Sequence, residues 1–232
     1  NTLFWVMATF AGNALATERR LIGIFGGTFD PVHHGHLRMA QEVLDATPMD
    51  ELRFIPCHIP PHRGTPGATS AQRAALLETA ISEGDPRFQL DRRELEREGP
   101  SYMVDTLQSI RKELGEDSSI ALILGQDAMS GLCSWSRWRE LTNLAHLILL
   151  SRPGYAPELP AALATHVQEG LSRDPSMLLR APHGRIIQVT TSQLEISASQ
   201  IRDLIQRQRS ARYLVPDAVL AQIDELGLYR KT

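Results

Sequence analysis

The chain has 232 residues, of which 42% are apolar and 22% are charged, and its formal net charge is −3. This length and composition suit one substantial domain without disulfide support, and the charge excludes the global basic field of a nucleic-acid-binding protein. The two cysteines, Cys57 and Cys133, lie far apart and outside any metal-binding spacing, which fits free thiols in a reducing cytoplasm.

The first segment of the chain, NTLFWVMATFAGNALA, is apolar but too short to span a bilayer. It also lacks the basic residues that precede the apolar core of a signal peptide. We interpret residues 1–20 as an extension outside the fold and residues 21–232 as a single domain. No other segment predicts a membrane span, so we expect a cytoplasmic protein without a membrane partner.

From Leu21 onward, short apolar runs alternate with helical patterns. The predicted strands are 21–25, 52–56, 88–90, 120–125, 146–151 and 185–190, and the predicted helices are 37–46, 70–81, 102–114, 158–171, 197–208 and 216–227. This alternation predicts an α/β fold: a Rossmann-like, doubly wound, mostly parallel sheet of five to six strands with C-terminal helices. Ligands of such folds bind beyond the carboxyl ends of the strands, where the strand order reverses.

The segment GGTFDPVHHGH joins the first predicted strand to the first predicted helix. Gly26 and Gly27 permit close backbone approach, and main-chain N–H groups in such a turn can bind an anion. His36 falls at the start of the helix, where the positive end of the helix dipole favours an anion. The segment matches neither GxGxxG nor GxxxxGK[ST], so we expect histidine rings and amides, rather than a lysine, to bind phosphate.

Two other interpretations of this turn remain open. Its three histidines can form a metal site instead, although Asp30 is the one acidic residue nearby in the sequence. They can also be solvated residues of a glycine-rich turn that binds nothing.

The same segment resembles the first signature of the HxGH nucleotidyltransferase superfamily, with His33, Gly35 and His36 at its defined positions. Near the C-terminus, ISASQIR (residues 196–202) is similar to the second signature of that superfamily, usually ISSTxxR. Both segments stand at predicted helix starts and in the correct order, which indicates one phosphate site assembled from two distant parts of the chain.

The second signature departs from the usual pattern at two positions. Ala198 replaces a serine, and Ser199 replaces the threonine. A serine hydroxyl can still cap a helix or donate to a phosphate, so we expect activity to be kept.

A longer resemblance narrows the family. The segments GIFGGTFDPVHHGHL, PPHR, SYMVDTL, LGQDAMSGLCSWSRW and SRPGY occur in the order found in bacterial nicotinate mononucleotide adenylyltransferases, and the resemblance extends from Leu21 to Tyr229. It implies transfer of AMP from ATP to nicotinate mononucleotide, which gives nicotinate adenine dinucleotide and pyrophosphate in NAD biosynthesis. It implies small-molecule substrates without a nucleic-acid partner, and it leaves open whether the protein is a monomer or a homo-oligomer.

The residues suit this reaction, because the attacking phosphate oxygen is already ionised and needs alignment and charge stabilisation rather than a general base. We expect His36 to stabilise the reacting α-phosphate, and His33 and Arg202 to hold the ATP phosphates. Mg²⁺ is expected on the β- and γ-phosphates, without direct protein ligands. The ATP-binding residues implied by the resemblance are Gly26, Gly27, Thr28, Phe29, His33, His36, Gly125, Asp127, Arg152, Ile196, Ser197, Ser199 and Arg202.

The acceptor-binding residues implied by the resemblance are Gly27, Thr28, Arg63, Thr106, Trp135 and Trp138. Arg63 stands where the family usually has lysine, and either cation can meet the acceptor's phosphate. Thr106 is expected near the pyridine ring. One tryptophan is expected to stack on that ring, and the other to pack in the core.

Three alternatives to this function remain. The chain can be a related adenylyltransferase that uses phosphopantetheine or nicotinamide mononucleotide as its acceptor, a non-catalytic nucleotide-binding regulator, or a metal-binding module built on HHGH. The intact His33, His36 and Arg202 favour an enzyme over a regulator.

Overall fold

The structure is a computed structural model that describes residues 19–59, 66–154, 159–166, 171–192 and 194–230. The predicted extension, residues 1–20, lies outside the described residues apart from Arg19 and Arg20. Arg63 also lies outside them, so its predicted contact with the acceptor stays a prediction.

Seven strands form one sheet in the order β3-β2-β1-β4-β5-β7-β6. The strands are β1 (Leu21–Gly27), β2 (Glu51–Pro56), β3 (Phe88–Leu90), β4 (Ser119–Leu124), β5 (His146–Ser151), β6 (Leu171–Ser172) and β7 (Ile186–Thr190). Every neighbouring pair is parallel, so all carboxyl ends meet at one edge of the sheet. The order runs outward from β1 in both directions, and this reversal between β1 and β4 is where such sheets bind ligands.

Eight α-helices connect these strands or follow them in the described parts of the chain. They are α1 (His34–Ala46), α2 (Ser70–Ile81), α3 (Met103–Leu114), α4 (Gln126–Gly131), α5 (Trp138–Leu144), α6 (Ala161–His166), α7 (Ala198–Gln206) and α8 (Asp217–Glu225). Short 3₁₀ segments occupy Leu132–Ser134 and Pro175–Leu179.

The helices cover both faces of the sheet, because the strands are apolar on both sides. Along β1, Leu21 and Phe25 belong to a core cluster that also contains side chains of α1, α2, α7 and α8. Ile22 and Ile24 belong to a second cluster with side chains of α3, α4 and α5. The predicted doubly wound parallel sheet with C-terminal helices is therefore confirmed.

The sheet has seven strands instead of the predicted five to six. The added strand, β6, pairs over two residues with Ile186 and Ile187 of β7. A strand of two residues carries no hydrophobic period, so sequence patterning cannot detect it.

The predicted helix 158–171 is much shorter in the structure. Its described helical part is α6, which begins directly after Pro160, and Leu171 already belongs to β6. Proline is favoured immediately before and at the first turn of a helix, where its missing N–H costs nothing. Residues 155–158 and 167–170 lie outside the described part.

Within the described ranges, no helix has the length and apolar character needed to cross a bilayer.

Candidate active site

The turn between β1 and α1 presents its histidine rings at the carboxyl edge of the sheet. His33 occupies the N-cap position of α1 with an extended backbone, and its side chain makes no capping hydrogen bond. Its carbonyl accepts from the amides of His36 at 2.9 Å and Leu37 at 3.2 Å, which starts the helix. The helix therefore begins without using the His33 ring.

The rings of His33 and His36 stack on each other. Their centroids are 3.7 Å apart and their planes are inclined by 29°. His33 is 5% exposed, and its Nδ1 has no hydrogen-bond partner among the described residues. Burial lowers the pKa of His33 to about 4, with a smaller contribution from His34. His33 is thus neutral at physiological pH and can act as a hydrogen-bonding ring but not as a cation.

Aromatic residues fix the orientation of His36. Phe29 packs edge-on against the His36 ring with centroids 5.0 Å apart, and Phe25 does so at 6.3 Å. Phe29 itself has φ of 48°, in the left-handed region that non-glycine residues rarely adopt. A strained backbone persists where the surrounding structure holds it in place. Here the strained residue packs its phenyl ring against His36.

Gly35 brings the two sequence signatures together. A Cβ atom at this position would lie 3.0 Å from the His33 ring and 3.6 Å from the carbonyl oxygen of Ile196. A Cβ would therefore press on the imidazole of His33, while its contact with Ile196 would be an ordinary van der Waals contact. Glycine at the third position of HxGH is therefore required by close packing rather than by an unusual backbone angle.

The second signature forms the start of α7. Ser197 is its N-cap, and the Ser197 hydroxyl accepts from the amide of Gln200 at 3.2 Å. The hydroxyl of Ser199 lies 3.1 Å from that of Ser197 and is exposed. The cap is therefore Ser197, and Ser199 is left to face solvent at the positive end of the helix dipole.

Arg202 of α7 reaches back to the first signature. Its Nη1 donates to the main-chain oxygen of Asp30 at 2.6 Å and lies 3.5 Å from the Asp30 carboxylate. The side chain is 31% exposed, so part of the guanidinium faces solvent. His33, His36, Ser199 and Arg202 are thus gathered on the same side of the sheet.

The loops after β4 and β5 complete the carboxyl edge. Gly125 is the N-cap of α4, and Asp127 is exposed in the first turn of that helix rather than acting as its cap. Arg152 follows β5 and pairs with Glu195 at 3.4 Å, one residue before Ile196. The predicted ATP-binding residues therefore come from three loops and one helix start at the same edge.

Arg73 of α2 ties the phosphate turn to the loop after β2. Its guanidinium donates to the carbonyl oxygens of Thr28 at 2.5 Å, Cys57 at 2.7 Å and His58 at 3.2 Å. Arg73 is 1% exposed, so these carbonyls stabilise a buried cation through both Nη atoms, while its Nε has no partner among the described residues. The sequence analysis missed Arg73, although a charged residue on the apolar face of a predicted helix is a detectable signal.

Thr106, predicted near the pyridine ring, is fully buried. Its hydroxyl donates to Oε1 of Glu94 at 2.6 Å, and Arg97 donates to that hydroxyl at 3.2 Å. Burial raises the pKa of Glu94. Thr106 therefore lies beneath the surface in this structure, and its direct contact with the acceptor stays a prediction.

The two tryptophans occupy different environments. Trp138 is 7% exposed and packs in the second core cluster. There Arg139 lies 4.5 Å from its ring centroid, and His166 packs edge-on at 5.5 Å. Trp135 is half-buried at the end of the 3₁₀ segment. Of the two predicted acceptor residues, Trp138 belongs to the core and Trp135 remains available to a ligand.

In the described ranges, no group of three or more His, Cys, Asp or Glu side chains is arranged to hold a metal ion. The motif histidines stack ring on ring instead of converging on a point. The expected Mg²⁺ on the ATP phosphates stays a prediction.

The chain is similar to known proteins over nearly its whole length. A family model described as Cytidylyltransferase-like matches residues 24–204. A protein from Methylococcus capsulatus, described as "probable nicotinate-nucleotide adenylyltransferase", is 50% identical over 211 residues, which are 91% of this chain and 100% of that protein. One of the same description from Halorhodospira halophila is 47% identical over 90% of this chain and 95% of its own.

Among solved structures, the nicotinic acid mononucleotide adenylyltransferase of Plasmodium falciparum, complexed with NaAD, matches with a TM-score of 0.68. The match covers 91% of this chain and 98% of that chain at 16% sequence identity. At this identity the similarity establishes a common fold.

Proposed function

The chain belongs to the nicotinate-nucleotide adenylyltransferase family of cytidylyltransferase-like proteins, and we propose that its two signatures form one site for adenylyl transfer. The enzyme transfers AMP from ATP to nicotinate mononucleotide, which yields nicotinate adenine dinucleotide and pyrophosphate for NAD biosynthesis. The observation that carries the site assignment is the contact between the two signatures, in which Gly35 packs against Ile196 and Arg202 binds Asp30.

The reaction is a displacement at the α-phosphorus of ATP. A phosphate oxygen of the acceptor forms a bond to this phosphorus, and the bond to the bridging oxygen of the β-phosphate breaks, with its electron pair leaving on pyrophosphate. The attacking oxygen carries a negative charge at neutral pH, so no proton has to be removed. The protein is required to align two anions and to stabilise the charge that develops between them.

His36 donates to the α-phosphate in this proposal, and the packing of Phe25 and Phe29 against its ring supports that role. His33, whose buried ring is neutral before ATP binds, contributes a hydrogen bond. Arg202 and the first amides of α7 supply positive charge and dipole to the triphosphate. Mg²⁺ bound with ATP would supply further positive charge to the leaving pyrophosphate.

On the acceptor side, Trp135 is the candidate for stacking on the pyridine ring. Trp135 is half-buried, and it lies shortly after α4, the helix that begins at the carboxyl end of β4. Arg63 is the candidate for the acceptor's phosphate. We further propose that residues 21–232 act as a single cytoplasmic domain.

The test is product formation with different acceptors. The purified chain is incubated with ATP, Mg²⁺ and nicotinate mononucleotide, nicotinamide mononucleotide or phosphopantetheine, and the dinucleotide and pyrophosphate are measured. We expect equal amounts of pyrophosphate and nicotinate adenine dinucleotide with the acid mononucleotide. Preferential turnover of phosphopantetheine, or ATP binding without turnover, would reject this function.

A further inference from the structure

A single buried carboxylate, that of Asp30, connects separate parts of the site. Asp30 lies in the phosphate turn and is 4% exposed. Its Oδ2 accepts from the amide of Gly67 at 2.7 Å, and its Oδ1 accepts from the amide of Ala68 at 3.1 Å. Both amides lie just before α2, four and five positions after the predicted acceptor residue Arg63 in the sequence.

A third donor comes from the C-terminal end of the chain. The hydroxyl of Tyr229 donates to Oδ1 of Asp30 at 2.8 Å, and Tyr229 is 7% exposed. Burial and the neighbouring Asp30 carboxylate raise the pKa of the Tyr229 phenol, so it remains a donor at every working pH. The Tyr229 ring also lies against Gly67, where an added Cβ would approach it to 3.0 Å.

These hydrogen bonds also set the distance between the Asp30 carboxylate and the guanidinium of Arg202. With its oxygens held by two amides and a phenol, the carboxylate stays 3.5 Å from Nη1 of Arg202. The guanidinium binds the main-chain oxygen of Asp30 instead, at 2.6 Å. A carboxylate released from Tyr229 is expected to turn toward Arg202, because a shorter, hydrogen-bonded ion pair is stronger than the present one at 3.5 Å.

We propose that Tyr229, acting through Asp30, is a positioning residue for the adenylyl transfer. It fixes the carboxylate that accepts from the amides of Gly67 and Ala68, and it prevents that carboxylate from drawing Arg202 away from the triphosphate. The segment before α2 and the ATP-binding Arg202 are thereby set relative to each other by the hydrogen bonds of one carboxylate. This inference rests on the proposed function and assigns a role to Tyr229, which lies outside both signatures.

The test compares Tyr229→Phe with Tyr213→Phe. The first variant removes the hydroxyl and keeps the ring, while Tyr213 is 81% exposed and its hydroxyl makes no hydrogen bond with the described residues. We expect Tyr229→Phe to raise the KM for ATP about tenfold, the size of one lost buried hydrogen bond, and to raise the KM for nicotinate mononucleotide as well. Tyr213→Phe should keep both KM values of the parent.

This KM readout separates positioning from folding. If Tyr229 only stabilised the fold, the variant would show a lower apparent kcat in proportion to its folded fraction, with both KM values unchanged. That result, or KM values equal to those of Tyr213→Phe, would overturn the proposal. If the parent itself makes no dinucleotide, the proposed function fails, and calorimetric ATP binding to the same two variants tests the positioning role independently.

A second variant, Asp30→Asn, tests the proposal if Tyr229→Phe folds poorly. Asp30→Asn keeps the size of the side chain but places an amide group where an oxygen accepts from the main chain or from Tyr229. We expect the same direction of change in KM. In the double variant the two effects should combine to less than their product, because both pass through the same hydrogen bond. Independent, multiplicative effects would contradict the proposal.

Discussion

At the residue scale, burial determines what each histidine of HHGH can contribute. The sequence predicts that His33 and His36 bind phosphate at the start of a helix. It did not predict that His33 is neutral, because its pKa depends on desolvation by packing that the sequence does not display. It also gave the Asp30 carboxylate no partner, since the groups that donate to it are 37 to 199 residues away in the chain.

The His36 ring should be essential for turnover but not for folding. Replacing His36 with alanine removes the donor for the reacting phosphate, and loss of one such donor costs about two to three orders of magnitude in kcat. His34→Ala is the matched control: the amide of His34, which donates to Leu214, is retained in alanine. Steady-state kinetics and circular dichroism check this. Parent-like turnover of folded His36→Ala would refute the role of His36.

At the element scale, the long apolar strands and the helices next to the signatures were predicted from the sequence. The helices α4 and α5 were not predicted, because six and seven residues are too few to display a helical period. Trp138 begins α5 and Trp135 lies between α4 and α5, so the sequence could place neither ring. The structure separates them, since Trp138 is one of the core residues of α5 and Trp135 precedes this helix.

The two tryptophans should respond differently to truncation. Trp138→Ala removes a large buried ring from the core, which should lower the free energy of unfolding by about 3–5 kcal/mol. Trp135→Ala should change stability less and should raise the KM for nicotinate mononucleotide. Urea unfolding and acceptor titration, performed on both variants, check these outcomes. The opposite assignment, or equal small effects on KM, would reject stacking by Trp135.

At the scale of the whole molecule, the parallel sheet brings the two signatures together. They are separated by most of the chain, yet both follow strand ends at the carboxyl edge, which parallel pairing forces to a common side. Strand–helix alternation in the sequence was enough to predict that both signatures lie at the carboxyl edge of the sheet. The contacts across it, such as those of Arg73 and Tyr229, depend on side-chain packing and became visible in the structure.

The stability of the fold should fall in mild acid. His33 and His146 are buried with pKa values lowered to about 4, His33 mainly by desolvation and His146 likewise. Below about pH 6.5 histidines of the unfolded chain bind protons that the native state does not, so the free energy of unfolding decreases as pH falls toward 4. The slope is up to about 1.4 kcal/mol per pH unit for each histidine.

Urea unfolding at about pH 7.5, 6.5 and 5.5 measures this slope, and His146→Gln isolates one contribution. His146 accepts from the amide of Arg185 and contacts the Ala181 carbonyl through Nε2. The variant should lose stability less steeply with falling pH than the parent, because one of the two buried histidines is removed. An unchanged slope would show that His146 binds as many protons in the native state as in the unfolded state.

The most direct test of the shared phosphate site is a crystal structure with nicotinate mononucleotide and a non-hydrolysable ATP analogue. The account predicts that the triphosphate lies between the His33–His36 stack and the start of α7. Arg202 should contact its phosphates, and the acceptor phosphate should face the α-phosphorus. A triphosphate bound away from either signature would contradict the account.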